Sequence, residues 1–413
     1  MKNIINPAKI KRIKTFGNSM FPILHDGDVI QIEKISYKNV KVNDILFFKS
    51  RNRLLTHRVI YKKKYTLITK GDSNPISDGK LSPKNILGRV VTTQRYGQEI
   101  DIDDMYLFQS TIYFNEISRI VSLFNAQSID FVILKGLPVH LFFEKKHPRR
   151  IYADCDVLIR RKDIEKARGI LLENKFVVKK VELSSIHKIL KDKVVEETFI
   201  KKLSGFPFVL DIHYEPAFLL TQIGSLENIY PQRLLDQMSN QLLSSKRGVL
   251  IENTRVPLLC LEDQILYLLL HLFHHNFRGA YRYDLLAELM KSRFDEKSLA
   301  HTINKFKIQN FVYPTLLLME KYYKQNSGKK IINLLQVNEA TRKYMKKTVA
   351  TLSIFDEDTR VEGGVQRFML LYRLSFFPQW RKILTFFNIQ VLYSILYVLI
   401  IKLTKNIQHK SFL

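Results

Sequence analysis

Residues 131–159 read FVILKGLPVHLFFEKKHPRRIYADCDVLI, and their punctuation sets the architecture of the chain. Phe131–Leu134 is an apolar run stopped by Lys135 and Gly136, which predicts a short buried strand followed by a turn. A helix and a basic loop come next, and Tyr152–Ile159 predicts a second strand. Side chains alternate across a strand, so Asp154 and Asp156 fall on one face and Cys155 on the other. Two carboxylates side by side repel, and a cation is the usual reason to hold them together. A third acid, Asp211, lies in the predicted strand Phe206–Tyr214 (FPFVLDIHY), where it can complete a metal-binding cluster.

Outward from this stretch the order is mixed α/β. Asp104–Ala126 carries apolar residues at helical spacing (Met105, Leu107, Phe108, Ile112 and onward), and Lys162–Lys175 predicts a further helix. Phe176–Val181 predicts a strand, and a basic, Ser-containing segment leads to the strand of Asp211. From about Leu258 the pattern turns helical. Leu261–Phe273 is apolar almost all round, which marks the buried centre of a helical domain. Its His271 and His275 stand one turn apart and could bind zinc, but no third ligand stands at a familiar spacing. Ser327–Lys330 predicts a loop.

The residues LKG, Arg150, DCDVLI and DIHY together resemble the uncharacterised nucleotidyltransferase family within the DNA polymerase β-like superfamily. The resemblance runs from about Asp103 towards the C-terminus. It implies a Mg²⁺ cofactor at Asp154, Asp156 and Asp211, and a nucleoside triphosphate substrate with Lys135, Gly136 and Arg150 at its phosphates. Where the superfamily places a Gly-Ser turn, this chain has Lys135-Gly136. The His271/His275 pair and a later Asp also belong to the resemblance, in structural or substrate-lining roles.

Before this unit, strand signals recur at Ile45–Phe48, Thr56–Tyr61, Leu67–Thr69 and Ile86–Val91, with turn-rich GDSNPISDG between the last two. They predict an all-β unit of about 90 residues. Its blocks GNSMFPILHDGD, THRVI, ITKGDSNPISD and ILGRVV resemble the catalytic core of signal peptidase I, of the archaeal and endoplasmic-reticulum type that uses His as base. The resemblance implies Ser19 as nucleophile, His57 as base, Asp78 as the acid that orients the base, and Asp72 as its support. A Ser hydroxyl is a poor nucleophile until an adjacent imidazole takes its proton, and a carboxylate fixes that imidazole's tautomer. Residues 1–18 carry no apolar run of the kind that anchors such peptidases.

The expected organisation is therefore multidomain. An all-β peptidase-like unit spans residues 1–96, an α/β nucleotidyltransferase core 103–257, and a helical domain 258–413, with polar Gly97–Asp104 as the boundary. The expected function is bifunctional: a serine endopeptidase that processes signal or leader peptides, plus a Mg²⁺-dependent nucleotidyltransferase of unassigned acceptor. The competing reading is an inactive scaffold that binds a peptide or nucleic acid during peptide maturation.

Composition bounds the partners. Lys and Arg number 66 against 39 acids, a net charge of +27 that points to an anionic partner: nucleotide, acidic membrane surface or, as the lesser candidate, nucleic acid. Hydrophobic residues make up 46% of the chain, which excludes wholesale disorder. Two cysteines, Cys155 and Cys260, form neither a disulfide framework nor a zinc spacing and fit a reducing compartment. Ile383–Ile401 is free of charge and would extend about 28 Å as a helix, close to a hydrocarbon core of about 30 Å. Thr385, Asn388, Gln390 and Ser394 interrupt it. A spanning helix, an interfacial or partner-docking helix, and core packing all stay open, and the location expected is cytoplasmic or anchored at the cytoplasmic membrane.

Overall fold

The computed structural model describes residues 11–51, 53–152, 154–179, 195–216, 219, 225–356, 360–393, 395 and 396. Seven strands make the N-terminal sheet: β1 Lys11–Lys14, β2 Val29–Glu33, β3 Ile45–Ser50, β4 Arg53–Lys63, β5 Thr66–Lys70, β6 Ile86–Arg95 and β7 Gln98–Asp101. Their order is β1-β2-β6-β3-β4-β5, with β7 paired to β6. Each of the four predicted runs lies inside one of these strands. Gly97–Asp104 was expected as a polar exit, but Gln98–Asp101 instead folds back on β6 as a hairpin arm. Tyr96 and Gly97 both take positive φ, and this is the turn a tight antiparallel hairpin needs. The β unit therefore runs to Asp101.

Asp101 then caps the helix α1 Ile102–Ala126, its carboxylate accepting from the Asp103 and Asp104 amides. A second seven-stranded sheet follows. Its strands are β8 Phe131–Lys135, β9 Asp154–Ile159, β10 Val177–Val178, β11 Glu196–Leu203, β12 Phe206–His213, β13 Arg247–Ile251 and β14 Thr254–Leu258, in the order β10-β11-β12-β9-β8-β14-β13. The helices α2 Leu137–Glu144, α3 Ile164–Glu173 and α4 Gln232–Ser244 connect them. The expected Phe176–Val181 strand is seen at Val177–Val178, and 180–194 lie outside the described residues. Strand β11 and the β13–β14 hairpin carry no clean alternation in sequence and stand beyond the sequence reading.

The helical part comprises α5 Leu261–His274, α6 Ala280–Leu289, α7 Glu296–Lys305, α8 Gln309–Tyr323, α9 Asn326–Leu334, α10 Glu339–Thr351, α11 Arg360–Leu374 and α12 Gln379–Ile383. The loop expected at Ser327–Lys330 is the first turn of α9, because buried Ile331 and Ile332 draw the segment into the core. The apolar C-terminal stretch is not one helix. A 3₁₀ turn at Leu384–Phe387 interrupts it, and Asn388 then caps a new turn by accepting the Val391 amide at 3.1 Å. No helix among the described residues is long and apolar enough to cross a membrane. The remainder of that stretch, 397–401, lies outside the described residues.

The β unit is fastened to the rest. Its Met20, Ile23, Ile30, Ile45 and Val90 belong to the same continuous apolar core as α1 and the second sheet. At the polar rim Arg149 bridges Asp44 of the β unit (3.4 Å) and Asp103 of α1 (2.9 Å). Tyr61 packs edge-on to Phe355, and Ser77 donates through its hydroxyl (2.7 Å) and amide (3.1 Å) to Asp356.

Candidate functional site

Three strands build the acidic cluster. β9 supplies Asp154 and Asp156, and the parallel strand β12 sets Asp211 directly beside Asp156 in register. One oxygen from each carboxylate lies within 4.8 Å of the other two. Asp156 is only 3% exposed while Asp154 is 44% exposed, so Asp156 forms the floor and Asp154 the mouth. Lys135 comes from β8. An irregularity between Ile133 and Lys135 puts it opposite Asp156, and its Nζ meets Asp154 at 2.5 Å and Asp156 at 3.0 Å. Lys135, the candidate phosphate contact, pairs here with both carboxylates.

The charges divide unevenly. Burial works to raise the Asp154 carboxyl, but Lys135, with Arg282 and Arg150 behind it, holds Asp154 below the ordinary range. Asp211 lies otherwise: burial, then the charges of Asp156 and Glu196, outweigh Thr198 and His213 and push it up to about 7. Its Oδ1 is buried and has no hydrogen-bond partner. Stripping a carboxylate of water without replacing its partners is costly, and a divalent cation meets that requirement with the oxygen donors such ions prefer. The donor set therefore fits a hard divalent metal. His213, two residues on from Asp211 and hence on the same face, lies 3.5 Å from both Asp156 and Glu196 and is raised to about 9 despite its burial, by Glu196 and then Asp156. Its sequence signal is the two-residue spacing from Asp211 within DIHY.

Gly136 caps α2 with φ 114°. A Cβ there would stand 3.0 Å from the Asp154 carbonyl oxygen and 3.2 Å from the Cys155 Cα, so only glycine lets this turn lie against β9. Arg150 stacks over the Tyr152 ring at 4.3 Å and donates to the Tyr281 carbonyl at 3.2 Å. It borders a cavity of about 490 Å³ shared with Asp154, Asp211, Tyr281 and Asp284. Burial lifts the Asp284 carboxyl to about 6, and it accepts from the Tyr323 hydroxyl at 3.1 Å. Tyr281 and Asp284 follow the His cluster in sequence, and nothing in their spacing points to the cavity.

His271 and His275 approach to 3.2 Å through their Nε2 atoms, and burial lowers both well below the ordinary range. Among the described residues the group of three possible metal ligands brought together is Asp154, Asp156 and Asp211; no third ligand joins the histidines.

The β unit carries a second constellation. His57 on β4 is 4% exposed; its Nε2 stands 3.0 Å from the Ser19 Oγ, and its Nδ1 stands 2.8 and 2.9 Å from the two Asp78 oxygens. Thr69 donates to Asp78 at 2.8 Å. The Gly71 turn presses on the Ser19 carbonyl so closely that a Cβ would fall 2.8 Å from that oxygen. Asp72, expected as a support for the base, is used otherwise. Arg58 points from the opposite face of β4 to His57 and grips Asp72 with two bonds of 2.7 and 2.6 Å, while also donating to Tyr106 of α1.

The model of the uncharacterised nucleotidyltransferase family matches residues 104–324, more than half of the chain. This chain belongs to that family. The match covers β8, β9 and β12 with all three aspartates, and ends within the helical part. No curated protein matches. Among solved structures, an antigenic nucleotidyltransferase-like protein from Paracoccidioides brasiliensis is similar with a TM-score of 0.36 and 12% identity, over 56% of this chain and 97% of that one. The antibiotic-resistance factor ANT(2'')-Ia is similar with a TM-score of 0.30 and 14% identity, over 53% of this chain and 100% of that one. The β unit lies outside the family match.

Proposed function

We propose that this chain is a bifunctional enzyme: a Mg²⁺-dependent nucleotidyltransferase joined to a serine endopeptidase of the signal peptidase I type. The observation that carries the first part is the clustered Asp154, Asp156 and Asp211, with the Asp211 Oδ1 buried and unpartnered. The three carboxylates would hold the metal, whose chemistry is to neutralise phosphate charge and orient the reacting oxygens. Arg150, kept rigid by its stack on Tyr152, offers a planar cation to phosphate at the cavity. Lys135 sets the charge balance of Asp154 and Asp156, and Gly136 lets the backbone approach. Incubating the chain with each α-labelled nucleoside triphosphate and Mg²⁺, measuring pyrophosphate together with binding by calorimetry, tests this part; binding of none of the four refutes it.

What supports the peptidase part is the unbroken Ser19–His57–Asp78 line together with the four ordered sequence blocks. In this reading His57 Nε2 takes the Ser19 proton as Oγ attacks the scissile carbonyl, and Asp78 stabilises the imidazolium. The same proton passes to the leaving amine, and water then releases the acyl group. Asp72 has no part in this sequence. Its pairing with Arg58 braces the strand that bears His57.

The location proposed is the anionic face of the cytoplasmic membrane. Trp380, Phe387 and Ile389 are exposed at 67, 78 and 72% beside the interrupted C-terminal stretch, and the +27 charge favours such a surface.

A further inference from the structure

The cavity beside the acidic cluster has walls from both parts of the chain. Phe21, Pro22, Lys70 and Asp72 stand on the β-unit side; Arg150, Asp154, Asp211 and Tyr281 stand opposite. The first wall adjoins the segment that bears Ser19 at Phe21 and Pro22, while its Asp72 lies with Arg58 on the face of β4 opposite His57. Pro22 is three residues from Ser19, at most about 10 Å of chain. The turn that bears Asp72 is tied to the same segment: the Ser73 amide donates to the Ser19 carbonyl at 2.9 Å, and the Ser73 hydroxyl to the Phe21 carbonyl at 3.1 Å. Nor does this wall swing freely, since Arg58 joins Asp72 to Tyr106 of α1 and the apolar core is continuous across the boundary.

We propose that the acceptor of the nucleotidyl group is a polypeptide hydroxyl, presented by the same chain that the β unit holds at Ser19. The proposal rests on the nucleotidyltransferase and peptidase readings above. An acceptor must reach the mouth carboxylate Asp154 through this cavity, and the surface it meets on the way is an apolar rim, Phe21 and Pro22, next to a serine nucleophile. That surface suits an extended polypeptide rather than a free sugar or a second nucleotide. The cavity of about 490 Å³ also takes the phosphates at Arg150, so what it receives from the acceptor is a single side chain. A Ser, Thr or Tyr side chain of the polypeptide held at Ser19 would enter past Phe21 and Pro22 and face the acidic cluster. Its hydroxyl oxygen bonds to the α-phosphorus as the bond from that phosphorus to the bridging oxygen breaks. Pyrophosphate leaves with the electron pair and the hydroxyl proton passes to solvent. The product is a nucleotide in phosphodiester linkage to the side chain, and no oxidant or reductant is required.

The test uses the full chain carrying Ser19→Ala, so that the probe is not cut, with reduced and carboxymethylated casein as an unfolded, hydroxyl-rich polypeptide. Glycerol serves as the small hydroxyl acceptor. The four α-labelled nucleoside triphosphates are supplied with Mg²⁺, and calorimetry on the same preparation records nucleotide binding. The expected result is label on casein, released by phosphodiesterase and lowered at least tenfold by adding Val42→Trp, which fills the cavity from the β-unit side. Nucleotide binding with label on glycerol, on water or nowhere overturns the polypeptide acceptor and leaves the nucleotidyltransferase reading standing. Label on casein that Val42→Trp does not reduce overturns the shared cavity. Absence of binding by all four triphosphates removes the nucleotidyltransferase reading and this proposal with it.

Discussion

Replacing Asp78 by Asn probes the serine centre with almost no change of shape. Asp78 accepts from two donors, the single His57 Nδ1–H shared between its oxygens at 2.8 and 2.9 Å and the Thr69 hydroxyl at 2.8 Å. Asparagine keeps one acceptor oxygen, which Thr69 can retain, and turns an NH₂ donor towards His57. The Nδ1 atom must then accept, so the ring proton moves to Nε2, 3.0 Å from the Ser19 Oγ. The lone pair that would take the serine proton is gone. A wrong tautomer of this kind costs about 10⁴ in rate in a Ser-His-Asp centre, or roughly 5 kcal/mol of barrier. Asp72→Asn supplies the contrast. It strips the charge from the partner of a buried guanidinium, and breaking such a pair costs about 3–5 kcal/mol of stability. The assay is the rate at which a fluorophosphonate labels Ser19, read by mass spectrometry, alongside Tm for each variant. Asp78→Asn should abolish labelling with little change in Tm, and Asp72→Asn should lower Tm while the folded fraction still reacts. Labelling of Asp78→Asn within threefold of wild type would refute the line as a catalytic device and leave it a structural hydrogen-bond chain.

Three further outcomes are expected. Asp154→Asn removes one charge from the acidic cluster, so Mg²⁺-dependent ATP binding measured by calorimetry should weaken at least tenfold, and chelator should abolish it in the wild type. The Asp284 carboxyl, lifted to about 6 from 3.8, binds its proton more tightly folded than unfolded; stability is therefore lost as pH rises from about 4 to about 6, by about 3 kcal/mol in all, and Asp284→Asn should flatten that part of the Tm–pH curve. Trp380 is the sole tryptophan and is 67% exposed, so its emission should shift to the blue with vesicles containing phosphatidylglycerol and not with neutral ones; no shift with either removes the membrane surface.

The fold was legible where local pattern and burial agree. The runs around Ile45, Thr56, Leu67 and Ile86 are legible as short apolar stretches between turn residues, since β3 is buried on both faces, Ile45 and Phe47 in one cluster and Leu46 and Phe48 in another, and α1 shows its helical stripe because one side packs on the core. The pattern fails where tertiary contact overrides it. Ser327–Lys330 has the composition of a loop, yet Gly328 is buried and the segment is held helical by the apolar residues that follow. Ile383–Ile401 has the composition of one long helix, and Asn388 breaks it because its side chain satisfies an amide that a continuous helix would have bonded to a carbonyl.

At the sites the division is between residue type and register. Asp154 and Asp156 could be placed together from strand alternation alone, because both sit on one strand. That Asp211 stands beside Asp156 depends on the parallel register of β12 on β9, and a shift of one residue would have turned it to the other face. Lys135 shows the same limit. Its type suggested a phosphate contact, but the irregularity in β8 brings it opposite Asp156, where an unpaired ammonium and two crowded carboxylates satisfy one another. Asp72 and Asp78 lie six residues apart in one turn-rich segment, equally able in sequence to reach the base. What separates them is that His57 and Arg58 are neighbours on β4 and so point to opposite faces: the acid on one face meets an imidazole, and the acid on the other a guanidinium.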